Sequence, residues 1–194
     1  MSARALPSPV PVARPSGWWG MLIFVTSEAT LFGALIGSWF YLRFGSVQWP
    51  PPGIEPKGPA IPLILVGVLV STSVPMQLAS RAGQRGRAGF AWLLVALALV
   101  VQAGYFAFEV HDFQSDLGEF TPQRNAYGSI YYTLLGADHA HVAIGLVLSL
   151  WLLLRLAGGL TRYRLVGLRA ITLYWHVVNA ITLAVIGTIL SANL

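Results

Sequence analysis

The stretch Tyr127-Gly-Ser-Ile-Tyr-Tyr-Thr-Leu-Leu-Gly-Ala-Asp-His-Ala-His-Val142 opens an apolar run that continues to about Leu156. The run is long enough to cross a bilayer, yet it sets Asp138, His139 and His141 well inside the hydrophobic length. A charged side chain at that depth costs about 2.5–3.5 kcal/mol or more when nothing compensates it. These groups are therefore expected to face other helices or a partner polypeptide rather than lipid. Two further apolar runs carry polar residues that answer them: Ser27-Glu28 in the first and Tyr174-Trp175-His176 in the last. The remaining sequence reads as the scaffold that brings these positions together.

Composition supports a membrane setting. The chain has 194 residues, 56% of them hydrophobic and only 10% charged, with a mean hydropathy of +0.67. A soluble domain carries about 25% charged residues, so the protein is read as integral to a membrane. The absence of cysteine removes disulfides, thiolate metal sites and cysteine nucleophiles. A net charge of +5 raises nucleic acid or anionic lipid as a partner. The basic residues lie at the ends of apolar runs rather than in one patch, which reads as membrane topology and not as a nucleic-acid surface. No glycine-rich phosphate loop, HExxH or nucleophile–base set is present, so no catalytic residue and no metal site is assigned.

A proline- and arginine-containing tail over 1–16 is expected to be disordered, and 17–194 to form one transmembrane domain. Within it, apolar runs from about Trp18 to Phe44, Ala60 to Ser80, Phe90 to Phe108, Gly128 to Leu156 and Val166 to Leu190 each have the roughly 20 residues that a bilayer crossing needs. The fold expected is an all-α bundle of five transmembrane helices. Arg4, Arg14, Arg81, Arg85, Arg87, Arg155, Arg162, Arg164 and Arg169 fall on one side, and Arg43, Lys57 and Arg124 on the other. The excess of positive charge places the N-terminus in the cytoplasm and the C-terminus outside. A proline-rich connection (45–59) and an acidic, solvated loop (111–126) are then exterior. Trp18 and Trp19 read as inner interface anchors, and Trp49, Tyr127, Tyr131 and Tyr132 as outer ones. Ala29, Gly33 and Gly37 read as a small-residue face for close helix packing.

Depth relates the polar residues. At about 1.5 Å of rise per residue, Glu28, Asp138, His141 and His176 fall near mid-membrane. Asp138 and His141 share a helix face, as do Thr172, His176 and Asn179. His139 points roughly opposite His141. A shared polar layer of Asp138, His141, His176 and Asn179 is expected. Glu28 is expected in its neutral form, because its own helix offers no cation at its depth. The histidines remain open to three readings: ordinary interhelical hydrogen-bonding groups, axial ligands of a haem or transition metal, or members of a proton relay with Glu28 and Asp138. His111 reads as a solvated loop residue, and Glu109 as lying close enough to the membrane edge to cost little.

Several motifs occur together in a fixed order: Trp19-Gly20, Ser27-Glu28, Trp49-Pro-Pro-Pro-Gly-Ile54 with Pro59 and Pro62, Gln102-Ala103, Tyr127-Gly128-Ser129, Gly136, His141-Val142 and Tyr174-Trp175-His176. In that order and spacing the chain resembles subunit III of haem-copper terminal oxidases, over about residues 17–192. Its five spans resemble the shorter bacterial form of the family. The resemblance makes Glu28 the match to a buried family carboxyl in the helix facing subunit I. Of the family's His-x-x-His pair only His141 matches, with Asp138 in the place of the other. Asn179 stands where the family has aspartate, and Arg169 where it has glutamate.

What the resemblance implies is a subunit of the bacterial cytoplasmic (inner) membrane with no catalytic or redox centre of its own. It would pack against the catalytic subunit I and other oxidase subunits, hold structural phospholipids, and support proton uptake and stability during turnover. Haem and copper are expected only in the partner subunits. Arg155 and Arg169 are candidates for lipid head groups, with plain topology as the other role for each. The alternative readings are a subunit-III-like accessory protein of nitric oxide reductase and a stand-alone membrane cytochrome or proton-coupled transporter.

Overall fold

A computed structural model describes residues 16–193 of the chain. The expected tail lies outside the described residues except for Ser16, which opens the first helix. The elements are α1 (Ser16–Phe44), α2 (Ala60–Ser71), α3 (Ser73–Gln84), α4 (Ala88–Glu119), α5 (Ala126–Ala157), α6 (Arg162–Leu190) and a closing 3-10 turn, Ser191–Asn193. Five helical lengths are long and apolar enough to cross a membrane, with α2 and α3 forming one of them, Ala60–Gln84. The protein is an all-α, multi-pass membrane bundle.

The break between α2 and α3 has a local cause. Pro75 has no N–H to give to the carbonyl four residues back, and its ring crowds that turn. At Thr72 the backbone N–H tightens onto the Leu69 carbonyl at 3.0 Å, and the Thr72 hydroxyl donates to the same oxygen at 2.7 Å. Asn179 of α6 adds a third donor to it at 3.4 Å. In lipid, backbone groups released by a bend must find such protein partners.

α4 is longer than its apolar run. The expected end near Phe108 and the expected acidic loop over 111–126 are corrected: the helix continues to Glu119, and only residues 120–125 connect to α5. Glu109, Asp112 and Asp116 recur at spacings of three and four, on one helical face. That face is held rather than solvated. The Lys57 ammonium pairs with Asp112 and with Asp116 at 2.8 Å, and the Tyr131 hydroxyl donates to Asp116 at 2.6 Å. Asn125 then caps α5, its side chain accepting from the Gly128 N–H at 2.8 Å.

α6 is the central element, packed by α1, α2, α3 and α5, while α4 leans on α3 and α5. Trp175 and Tyr174, both essentially inaccessible, sit against Gly145 of α5. A Cβ there would stand 2.7 Å from Trp175 Cζ2 and 3.0 Å from Tyr174 Cε1. Trp175 Nε1 donates to Ser149 at 2.7 Å, so the buried indole N–H is satisfied.

Two packing expectations are corrected. Tyr127, Tyr131 and Tyr132 are not membrane-facing anchors. They are buried in an aromatic cluster with Trp39, Trp49 and Phe120, where Trp49 and Tyr127 lie 5.0 Å apart. The polar ends of Tyr131 and Tyr132 are engaged inside the bundle, Tyr131 donating to Asp116 and Tyr132 to the Phe120 carbonyl at 2.8 Å. Gly33 and Gly37 do not bring helices of this chain together, since a Cβ on either would meet open space. Among the described residues of α1, only Phe32 and Trp39 are buried, so the small-residue face of that helix looks outward.

Candidate functional site

Glu28 sits about three turns into α1 and His141 near the middle of α5. Their side chains meet, His141 Nε2 lying 2.5 Å from Glu28 Oε2. The other ring nitrogen, Nδ1, lies 2.7 Å from the Ala137 carbonyl oxygen. A carbonyl only accepts, so Nδ1 carries a hydrogen. The short contact on the far side then holds one further proton, on Glu28 facing a neutral imidazole or on His141 facing a carboxylate. In both forms the pair has no net charge, which is how two ionisable groups persist inside a membrane. Phe32, one turn along α1, places its ring edge-on to the imidazole at 5.0 Å between centroids. The pair is not sealed: the Glu28 side chain keeps 19% of its exposure and His141 11%. The expectation of a neutral Glu28 considered α1 alone, and the structure adds a base from α5.

The other members of the expected polar layer lie at similar depth but face different neighbours. Asp138, 2% exposed, accepts from the Thr182 hydroxyl of α6 at 2.8 Å, without a direct bond to His141. His176 Nε2 donates to the Gln77 side-chain oxygen of α3 at 3.1 Å, and Asn179 donates to Ser73 at 2.8 Å. Thr172, on the same α6 face, donates to the Leu168 carbonyl at 2.8 Å. The single connected layer is therefore corrected to three separate contacts, α1 with α5, α5 with α6, and α6 with α3. Depth places a residue along a helix but leaves the direction of its side chain open. His141 and His176 turn to different protein partners, so they do not form a matched axial pair.

One contact was not anticipated from sequence. Glu109 is buried at 7% exposure, and its Oε2 lies 3.7 Å from Nε2 of His139. The expectation that Glu109 sits cheaply near the membrane edge considered depth alone; the structure buries its carboxyl inside the bundle, against α5. The spacing of Glu109 with Asp112 and Asp116 carried the signal that the helix continues.

The two candidate arginines occupy different places at the basic end of the bundle. Arg155 lies over Trp151, 5.1 Å from its ring centre, and over Tyr163 at 5.7 Å, in a cavity also bordered by Gly17 and Arg164. Arg169 lies over Trp18 at 5.8 Å and borders a cavity of about 200 Å³ with Gln77, Gln84 and His176. Among the described residues, neither pairs with a carboxylate.

The family model described as cytochrome c oxidase subunit III matches residues 12–190. Cytochrome c oxidase subunit 3 of Rhizopus stolonifer is 30% identical over 173 residues, covering 84% of this chain and 60% of the relative. That of Paracentrotus lividus is 31% identical over 173 residues, covering 84% and 64%. That of Bacillus subtilis is 28% identical over 180 residues, covering 91% of this chain and 86% of the relative. The chain thus spans less than two thirds of the length of the first two relatives.

Proposed function

Because the chain belongs to the cytochrome c oxidase subunit III family, we propose that it serves as the non-redox subunit III of a bacterial haem-copper terminal oxidase. It packs beside the catalytic subunit in the cytoplasmic membrane, with its N-terminus inside, and supports proton uptake and stability during turnover. Haem and copper belong to the partner subunits in this reading.

The observation that carries it is the state of α1. One side of this helix seats Phe32 and Trp39 in the bundle, and the other offers an exposed Ala29 with Gly33 and Gly37, over which a Cβ would meet nothing of this chain. Small residues in that spacing let a second helix approach closely, which is a main route to association where lipid removes the hydrophobic drive. The Glu28–His141 pair lies on the inward side of α1, with Phe32 one turn along the same face, and stays partly accessible. A carboxyl and an imidazole sharing one proton form a local proton store, and this supports the role in proton supply. Arg155 with Trp151 and Tyr163, and Arg169 with Trp18, provide cations beside interfacial aromatics, a setting suited to anionic phospholipid head groups at about 1 kcal/mol per cation.

Substituting both Gly33 and Gly37 with leucine tests the reading. The variant is expected to insert and fold, because neither Cβ meets a neighbour, and to lose co-purification with its oxidase partners in mild detergent. Undiminished recovery of the partners would show that α1 is not the contact helix.

A further inference from the structure

Glu109 of α4 and His139, on another face of α5 from His141, take no part in the pair described above. On α4, Phe106, Glu109 and Phe113 share one helical face, and the His139 ring enters it. Its centroid lies 6.2 Å from that of Phe106 and 5.3 Å from that of Phe113. His139 Nδ1 is 2.5 Å from the Leu135 carbonyl and carries a hydrogen for the same reason as in His141. Nε2 is buried without a hydrogen-bond partner and is turned to Glu109 Oε2 at 3.7 Å. Two proton-binding groups thus face one another with no hydrogen bond fixing a proton on either. Glu109 also borders a cavity with Lys57, Asp112 and Tyr131, whose α2 and α6 walls are the apolar Ile61, Leu65, Ile186 and Ile189. The Lys57 and Asp112 side chains retain 29% and 40% of their exposure, so the cavity runs from Glu109 toward the surface at the acidic end.

We infer that Glu109 and His139 form a proton-exchange site, reached through this cavity from the acidic end of the bundle and separate from the Glu28–His141 pair. The ligand is a proton delivered by hydronium. It passes to a Glu109 carboxylate oxygen or to His139 Nε2, forming one O–H or N–H bond and leaving water behind, with no change of oxidation state. The Phe106 and Phe113 rings suit the imidazolium, and the Glu109 carboxylate balances its charge. The groups facing the site are Tyr105, Asp112 and Asp116 of α4, Tyr131 and Asp138 of α5, and Lys57 from the 45–59 connection. Lys57 is engaged by Asp112 and Asp116, which leaves His139 as the base at contact distance from Glu109.

Infrared difference spectroscopy of the full chain in phospholipid nanodiscs, stepped in pH and exchanged into D2O, tests the assignment. A protonated-carboxyl band is expected to grow on acidification and to shift in D2O. Glu109→Gln should abolish it, Glu28→Gln should leave it, and His139→Gln should move the pH at which it forms. A band that survives Glu109→Gln, ignores D2O or forms at an unchanged pH in His139→Gln overturns the inference. Should Glu109→Gln fail to fold, Ile61→Trp narrows the cavity without replacing either group and must slow the D2O shift. An unchanged rate overturns it equally.

Discussion

A carboxyl and an imidazole sharing one proton behave as a single unit. Removing Glu28 leaves His141 without the partner that balances its second proton, and removing His141 leaves a carboxyl alone near mid-membrane. Glu28→Gln and His141→Ala should therefore be non-additive in thermal unfolding in detergent, with a coupling of about 0.5–3 kcal/mol. Strict additivity would mean that the side chains do not meet. Glu28→Ala is expected to leave folding and assembly largely intact while changing proton uptake or the inactivation rate of the oxidase during turnover. An enzyme indistinguishable from wild type in both would separate Glu28 from that role. Gly145→Ala acts differently, because the new methyl meets the inaccessible Trp175 ring at 2.7 Å, and overpacking of that kind costs about 1–3 kcal/mol. Glu28 and His141 were legible in sequence because ionisable residues stand out in an apolar run. Their pairing was not, since hydropathy and helical rise give depth while the partner is set by rotation about each helix axis. His139 and Glu109 escaped for the same reason.

At the scale of elements, the five crossings and their order follow from run length, and their ends fall within a few residues of the apolar limits except in α4. There a charged face continued the helix because Lys57 and Tyr131 wait opposite it, a tertiary partnership that composition does not announce. Lys57 lies outside the spans. Burial alone would lower its pKa, but the hydrogen bonds it donates to Asp112 and Asp116, with their charge, outweigh burial and raise it. A folded value above the ordinary one, about 10.4, means that the latch contributes fully below that pH and is lost as pH rises through the folded value. The stability gap between wild type and Lys57→Met, about 1 kcal/mol, should hold from neutral pH to about 10 and close above it. A gap that closes on acidification down to pH 6 instead would contradict the latch. The bend at Thr72 makes a second demand, because Asn179 donates to both Ser73 and the Leu69 carbonyl. Asn179→Leu should cost about 0.6 to 2 kcal/mol in unfolding measurements, and a neutral result would mean that the bend satisfies itself.

The whole molecule is asymmetric in two senses. Among the described residues, most arginines collect at one end, while Lys57, Asp112, Asp116 and Glu119 collect at the other with Arg43 and Arg124, as the count along the sequence led one to expect. Its helices are also unevenly enclosed: α6 is surrounded, whereas α1 is held on one side and leaves Ala29, Gly33 and Gly37 uncovered. A small-residue face was legible from spacing, but its direction was not, because that spacing serves contacts within a chain and between chains equally well. An outward small-residue face on α1 is what the proposed place beside another oxidase polypeptide requires. The mass of the intact assembly, released from the native membrane in mild detergent, tests this most directly. The chain is expected to leave the membrane bound to a larger haem- and copper-containing polypeptide. Recovery of the chain by itself, or only with copies of itself, would contradict it.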